Sequence, residues 1–273
     1  MTDPSRFNIA LVLTTIHAPN EALRQLANGC MEKGYRFVIA GDTKSPLDFE
    51  IKGADFFDIV AQEVTGFQLA RLCPTQHYAR KNIAYLEAIR SGAKLIIETD
   101  DDNLPYESFW DDRLLQQEIP VCIGKGWLNV YSYFTRAHIW PRGFVLDAVK
   151  ADVQALESFP IRIIECPIQQ GLVDKNPDVD AVYRLVLPLP VEINRDGALA
   201  LGRGTWCPFN SQNTAWWQMV FPLLYLPSYC SFRMTDIWRS FVAQRIIWEN
   251  NWYILFHGAT MWQDRNVHNL MHD

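Results

Sequence analysis

The sequence predicts an α/β protein built on a largely parallel sheet, and three observations carry that prediction. Strand-like runs alternate with helical stretches of about 10 to 15 residues through the first hundred positions, the pattern of βαβ units. The run 7–16 (FNIALVLTTI) is almost continuously apolar, as a strand buried on both faces must be, and 93–99 (AKLIIET) reads as a second strand of buried type. Of the 273 residues, 49% are hydrophobic and 13% aromatic, enough to bury a large core and to exclude a disordered or fibrous chain.

The elements follow in order. After the first strand, Asn20 is placed to cap a helix over 21–33, and Gly34 to stop it. Residues 36–40 (RFVIA) form a second strand, followed by the turn GDTKSP at 41–46. A third strand is expected near 56–60. Residues 78–90 carry apolar positions at helical spacing and end at Ser91-Gly92. The buried strand 93–99 then runs into Asp100-Asp101-Asp102-Asn103. Beyond about residue 120 the pattern is irregular, with strands expected near 121–124, 144–146 and 181–187. Seven of the ten Trp fall between Trp206 and Trp262, so the last quarter is built differently. With no repeat and no low-complexity linker, one domain over 1–273 is expected.

Charge and targeting exclude further classes. The chain has 31 acidic and 25 basic residues, a net charge of -6 and no Lys/Arg-rich run, so a general nucleic-acid binder is not expected. Residues 1–7 are polar and lack a signal-peptide pattern. The most apolar stretch, 219–226, falls far short of the roughly 20 residues of a spanning helix, and Pro222 interrupts it. The cysteines (30, 73, 122, 166, 207, 230) are scattered and never form CxxC, as expected of reduced thiols in a cytoplasmic protein. His268 and His272 are spaced as a helical metal pair, but in so polar a terminus no zinc site is expected.

The chemistry concentrates at strand ends, where open parallel sheets bind ligands. Three adjacent carboxylates repel one another unless a cation neutralises them. In an extended segment residues i and i+2 point the same way, so Asp100 and Asp102 can share one metal while Asp101 faces elsewhere. Oxygen-only ligation favours Mg²⁺ or Mn²⁺, whose shells substrate phosphates commonly complete. A plain acidic turn capping a helix near Pro105 is the alternative. Leu104 and Pro105 break an EF-hand loop, and Thr14-Thr15-Ile16 after the first strand is not a haloacid-dehalogenase Asp pair. Thr14, Thr15 and His17 follow strand one, and Asp42 and Lys44 follow strand two. Arg80 and Lys81 open a helix, where the macrodipole favours anions; they make sense there beside a docked diphosphate. Otherwise they are solvated side chains, and Asp42 caps its turn.

In sequence order, Thr14-Thr15, GDTKSP and YARKNIAYLEAIRSGAKLIIETDDDN (78–103) look like the GT-A class of nucleotide-sugar glycosyltransferases, and more narrowly resemble the STELLO family. Trp140-Pro141-Arg142-Gly143, NPDVDAVYRL at 176–185, PFNSQNT at 208–214 and MTDIWR at 234–239 extend the resemblance over roughly 7–260. It implies a GT-A, Rossmann-like sheet flanked by helices, with 1–120 as the nucleotide-sugar half and 121–273 as the acceptor half. It implies that Asp100 and Asp102 form a DXD pair holding Mn²⁺ or Mg²⁺ on a nucleotide-diphospho-sugar, with a UDP-sugar as the expected donor. Thr14, Thr15 and Asp42 then border the nucleoside, Arg80, Lys81 and Asn82 the ribose or diphosphate, and Asp101 also contacts the donor. The acceptor is a glycan or another hydroxyl compound. An inverting enzyme needs a base, and Asp236, between Arg233 and Arg239, is the candidate, with a structural Arg–Asp ion pair at a helix start as the alternative; Asp178 and Asp180 are second choices. Asn210, Gln212 and Asn213 suit sugar hydroxyls, and Trp206 or Trp216 a sugar ring. The membrane anchors of plant relatives are not expected here. Two alternatives stay open: a nucleotidyltransferase or metal phosphohydrolase on the same carboxylates, and a non-catalytic GT-A-like scaffold. Against the first, 14–22 (TTIHAPNEA) has no glycine for a phosphate loop.

Overall fold

A computed structural model of the chain describes residues 8–264. The polar start of the chain and the His268/His272 pair therefore lie outside the described residues. The first βαβ unit follows the sequence closely: β1 (Ile9–Thr14), α1 (Glu21–Lys33) and β2 (Arg36–Ala40). The Asn20 side chain accepts a hydrogen bond from the Leu23 N–H at 2.9 Å, which satisfies one of the orphan donors of α1. Gly34, at φ 69°, closes the helix in the left-handed conformation that a Cβ disfavours. Between them Leu23, Leu26, Ala27 and Cys30 form the buried face.

The expected third strand is shifted. Strand β3 is Ala54–Phe57, because the Asp58 side chain caps α2 (Ile59–Val64) and draws Ile59 and Val60 into that helix. A short α3 (Gln68–Leu72) follows. The helix expected over 78–90 begins as one 3₁₀ turn, Tyr78–Arg80, and continues as α4 (Lys81–Arg90). Strand β4 (Leu95–Thr99) is buried along its whole length, Glu98 and Thr99 included. Then come β5 (Asn103–Pro105), β6 (Gln116–Cys122), β7 (Gly126–Trp127), β8 (Ile161–Glu165) and β9 (Ile168–Asp174). Two expected strands are absent. Around 144–146 the chain turns, with the Phe144 N–H bonded to the Pro141 carbonyl and a 3₁₀ turn at Leu146–Ala148. At 181–187 the Asp180 side chain accepts from the Tyr183 N–H and starts a helix, α5 (Ala181–Val186). The remaining elements are β10 (Ala198–Leu201), β11 (Thr205–Trp206), β12 (Asn213–Trp217), α6 (Thr235–Ile247) and β13 (Ile254–Gln263).

One mixed sheet of eleven strands carries both the early and the late elements, in the order β3-β2-β1-β4-β12-β9-β13-β10-β6-β8, with β5 on β13. The first four strands are parallel to one another. Strand β12 is antiparallel to both β4 and β9, and β13 is parallel to β9. The reversed β12 has a consequence for function. Its first residue, Asn213, pairs with Thr99 at the end of β4, so the segment entering β12 shares an edge of the sheet with the residues leaving β4. Apolar clusters cover the two faces. One includes Ala84, Ala88, Ile96 and Trp216, and the other Leu11, Leu13, Leu26 and Ile97.

Candidate functional site

A cavity of about 470 Å³ opens at this shared edge. One wall comes from the ends of β1, β2 and β4, with Thr14, Thr15, His17, Asp42, Lys44 and the three aspartates. The other comes from the chain entering β12, the start of α6 and the loops before them, with Arg142, Asp178, Arg184, Asn210, Ser211, Gln212, Phe232, Arg233 and Asp236.

The acidic residues occupy a turn between β4 and β5, not an extended segment. Its floor is fixed by Asn103, whose Nδ2 donates to the Gln212 carbonyl at 2.7 Å, and by Asn20, whose Nδ2 donates to the Asp101 carbonyl at 2.8 Å. Asp100 Oδ1 accepts from the Tyr78 hydroxyl at 2.6 Å and lies 3.6 Å from Lys81 Nζ. Asp102 Oδ1 accepts from Gln263 Nε2 at 2.9 Å. Asp101, expected to face elsewhere, also lines the cavity, because the turn breaks the i, i+2 alternation. Its carboxylate takes the Thr15 hydroxyl and lies 2.9 Å from His17 Nδ1, and that hydrogen bond raises the His17 pKa. Burial pushes the Asp100 carboxyl up to about 7; Lys81 opposes the shift and Asp102 reinforces it.

The donor set suits a hard divalent cation. Six carboxylates but only four Lys and Arg side chains line the cavity, and the pair Asp100 and Asp102 face it together. Among the described residues no three His, Cys, Asp or Glu form a ready-made metal cage. One or two carboxylates are what Mg²⁺-like ions commonly take from a protein when phosphates and water complete the shell.

The other wall is organised by Arg142. Its guanidinium donates to Asp178 through Nε (2.8 Å) and Nη2 (2.8 Å), and to Asp236 through Nη2 (2.9 Å) and Nη1 (3.1 Å). Nη1 also donates to the Arg233 carbonyl, which ties down the loop before α6. Asp236 sits in the first turn of α6, where the helix dipole favours an anion. It further accepts from the Ser211 N–H at 3.2 Å. Burial alone would raise its pKa; Arg142 and Arg239 outweigh burial and hold the carboxyl below the usual range.

Several expected residues have other work. Arg80 is buried, its guanidinium donating to Gln62 Oε1 and to the Ala70 and Cys73 carbonyls at 2.9 Å, so it does not reach the cavity. Asn82 likewise pairs with the Leu226 backbone, at 2.8 Å and 2.9 Å. Lys81 is fully buried beneath Asp100 and contributes charge from below. Thr14 lines the cavity but its hydroxyl donates to the Ala40 carbonyl at 2.7 Å. Asp42 also lines it, while its carboxylate accepts the N–H groups of Thr43, Gln76 and His77. Arg239, expected beside Asp236, pairs instead with buried Glu98 at 2.7 Å. Asp180 caps α5 and accepts from Trp140 Nε1 at 2.7 Å. Trp216 is fully buried and donates to Glu98 at 2.8 Å, and Trp206 packs on Trp248 with centroids 4.4 Å apart, so neither indole reaches the cavity. Asn210 and Gln212 do line it. Sequence reasoning assigned no role to Arg142, Tyr78, Gln76, Phe232 or Gln263. For Arg142 a signal existed: it lies in one family-like segment, Trp140-Pro141-Arg142-Gly143, with Asp178 in another. Gln76, at φ 54°, is a positive-φ residue that nothing in the sequence marks.

Fold and site together define a class: an α/β chain, compatible with a GT-A-like fold, whose acidic turn faces a cavity at the carboxyl edge of its parallel strands. No family model matches the chain. It is similar to "Probable glycosyltransferase STELLO2" of Arabidopsis thaliana, at 29% identity over 276 residues and 92% of this chain. It is also similar to "Probable glycosyltransferase STELLO1" of the same plant, at 27% identity over 272 residues and 92% of this chain. The chain is thus STELLO-like along nearly its whole length, while it spans only 35% and 34% of the length of those two relatives. No helix among the described residues is long and apolar enough to cross a membrane.

Proposed function

We propose that the chain is a metal-dependent glycosyltransferase that moves a sugar from a nucleotide-diphospho-sugar, with UDP-sugar the expected donor, to a hydroxyl acceptor such as a glycan. The observation that supports this reading best is the shared cavity. Paired carboxylates at the end of β4 face it from one side, and a wall of amides, a hydroxyl and anchored charges faces it from the other. Asp100 and Asp102 would hold Mn²⁺ or Mg²⁺, which would supply charge to offset what develops on the departing diphosphate. Tyr78 and Lys81 hold Asp100 toward the cavity, and Gln263 does the same for Asp102. Thr15 and His17 brace Asp101, and Asp42 shapes the loop at Gln76–His77 by binding its backbone N–H groups. Asn210, Gln212 and half-exposed Phe232 offer the acceptor amide groups and one aromatic face. Five buried unpaired thiols fit the expected cytoplasmic setting.

The test is a thermal-shift panel of nucleoside diphosphates with and without Mn²⁺, run on the wild type and on Asp100→Ala/Asp102→Ala. A ligand at a hundred times its Kd stabilises the fold by about 2.7 kcal/mol. UDP with Mn²⁺ is expected to raise the melting temperature of the wild type only. An equal response in the double variant, or none in the wild type, would refute the assignment.

A further inference from the structure

Between the two walls runs a line of hydroxyl groups. Tyr78 Oη lies 2.6 Å from Asp100 Oδ1, 2.7 Å from Ser211 Oγ and 2.8 Å from Lys81 Nζ. Ser211 Oγ lies 3.3 Å from Asp236 Oδ2. The carboxylate on the β4 side and the carboxylate at the start of α6 are therefore joined through two side chains, Tyr78 and Ser211, that come from distant parts of the sequence.

Proton counting restricts what this line can do. An ammonium only donates, a carboxylate only accepts, and each hydroxyl owns one proton. Lys81 is fully buried and directs its N–H groups at Tyr78 Oη, at the Thr99 carbonyl (2.8 Å) and at the Ser211 carbonyl (3.2 Å), so Tyr78 must accept from it. With Asp100 ionised, the form a cation ligand takes, two arrangements satisfy the rest. In the first, Ser211 donates to Tyr78 and Tyr78 donates to Asp100. In the second, Tyr78 donates to Ser211 and Ser211 donates to Asp236. A mixture, with each hydroxyl donating to its own carboxylate, leaves two oxygens 2.7 Å apart with no proton between them.

We propose that Tyr78 and Ser211 form a two-position hydrogen-bond switch that couples cation binding at Asp100 to the Asp236 carboxylate across the cavity. The proposal rests on the reading of Asp100 as a cation ligand. A cation that draws on the Asp100 oxygens weakens them as acceptors for Tyr78 and favours the second arrangement, which gives Asp236 an added donor. The coupling runs both ways by thermodynamic necessity, so a change at Asp236 alters cation affinity at Asp100. Both walls bias one element with two discrete states, which is the physical requirement for communication between sites. Tyr78 and Ser211 are positioning residues in this scheme, and Ser211 acts on the cation only through Tyr78.

The switch is tested by Mn²⁺ affinity in a fixed excess of UDP, read from the electron paramagnetic resonance signal of the free ion. Ser211→Ala removes the acceptor that the second arrangement needs, and Mn²⁺ binding is expected to weaken about five- to tenfold. In a Tyr78→Phe background, where no proton remains to be moved, the same change is expected to alter affinity by less than about twofold. Ser211→Cys keeps the packing but offers a poor acceptor, so it should follow Ser211→Ala and guards against a folding defect. Wild-type affinity in both Ser211 variants overturns the switch, as does equal weakening with and without the Tyr78 hydroxyl. A wild type that takes up no Mn²⁺ with UDP overturns the cation reading beneath it, and that outcome is distinguishable from the other two.

Discussion

The guanidinium of Arg142 divides itself between Asp178 and Asp236, and that division sets what Asp236 is able to do. A general base must take up a proton, and it works best with a pKa near the operating pH. Asp236 is held below the usual carboxylate range, which suits an anchor better than a base. We therefore expect Asp236→Asn to retain a UDP–Mn²⁺ thermal shift, reduced as the coupling to Asp100 requires, and to lose about 2–3 kcal/mol of stability, since Arg142 keeps Asp178 but loses its second charged partner. In the same variant the acid limb of the pH profile of residual UDP-sugar turnover should stay where it is. Loss of that limb would restore Asp236 as the base. At this scale the sequence was legible where a residue ends a strand. Thr14, Thr15, Asp42 and the three aspartates all reach the cavity wall, because strand ends are positioned by the sheet. It was illegible within helix starts. Arg80, Lys81 and Asn82 read as one cationic tip, yet three consecutive side chains on a helix point in three directions. Here all three are buried, against Gln62, Asp100 and Leu226 respectively.

Elements were legible in proportion to how locally they are determined. Helix α1 has its own cap, its own stop and an apolar stripe, and its boundaries match the expected 21–33. The stretch 181–187 is apolar and β-branched, and only the Asp180 cap decides for a helix. Strand β13 is a ten-residue element that the sequence pattern did not reveal, although three strands, β9, β10 and β5, pair with it. His257 lies within it, and burial together with the nearby Arg113 pushes its pKa down to about 4. For a base whose folded pKa is depressed, stability is present above the unfolded value near 6.5 and is lost as pH falls toward the folded one. The melting temperature should therefore drop between about pH 6.5 and pH 4 by more in the wild type than in His257→Gln, which cannot protonate there. Parallel curves for the two proteins across that window would refute a neutral His257 in the folded state.

On the scale of the whole molecule, the boundary near residue 120 that separates the regular from the irregular sequence is not a boundary in the sheet. Strand β4 is completed by β12, and β5 by β13, so the early strands depend on late ones for hydrogen bonds. The dependence is also electrostatic. Glu98 of β4 is fully buried, and it is neutralised by Arg239 of α6 at 2.7 Å, with Trp216 of β12 donating at 2.8 Å and Tyr85 of α4 donating to the same carboxylate. Arg239 in turn lies under the Trp216 ring, 4.7 Å from its centroid. The tryptophan crowding of the last quarter is thus in part the cover over a charge placed in the first half, which composition alone could not reveal. A buried carboxylate deprived of its partner typically costs about 3–5 kcal/mol, comparable to the lower end of a domain's total stability. A fragment of residues 1–120 would lose that partner, the β12 side of β4 and the β13 side of β5 together. We expect it to show no cooperative thermal transition and to bind no UDP with Mn²⁺, even though it contains Thr14, Thr15, Asp42 and the whole acidic turn. Restoring cooperative folding by adding residues 121–264 as a separate chain would locate the missing stability in these contacts, whereas a sharp transition in the 1–120 fragment alone would show that the early βαβ units stand without them.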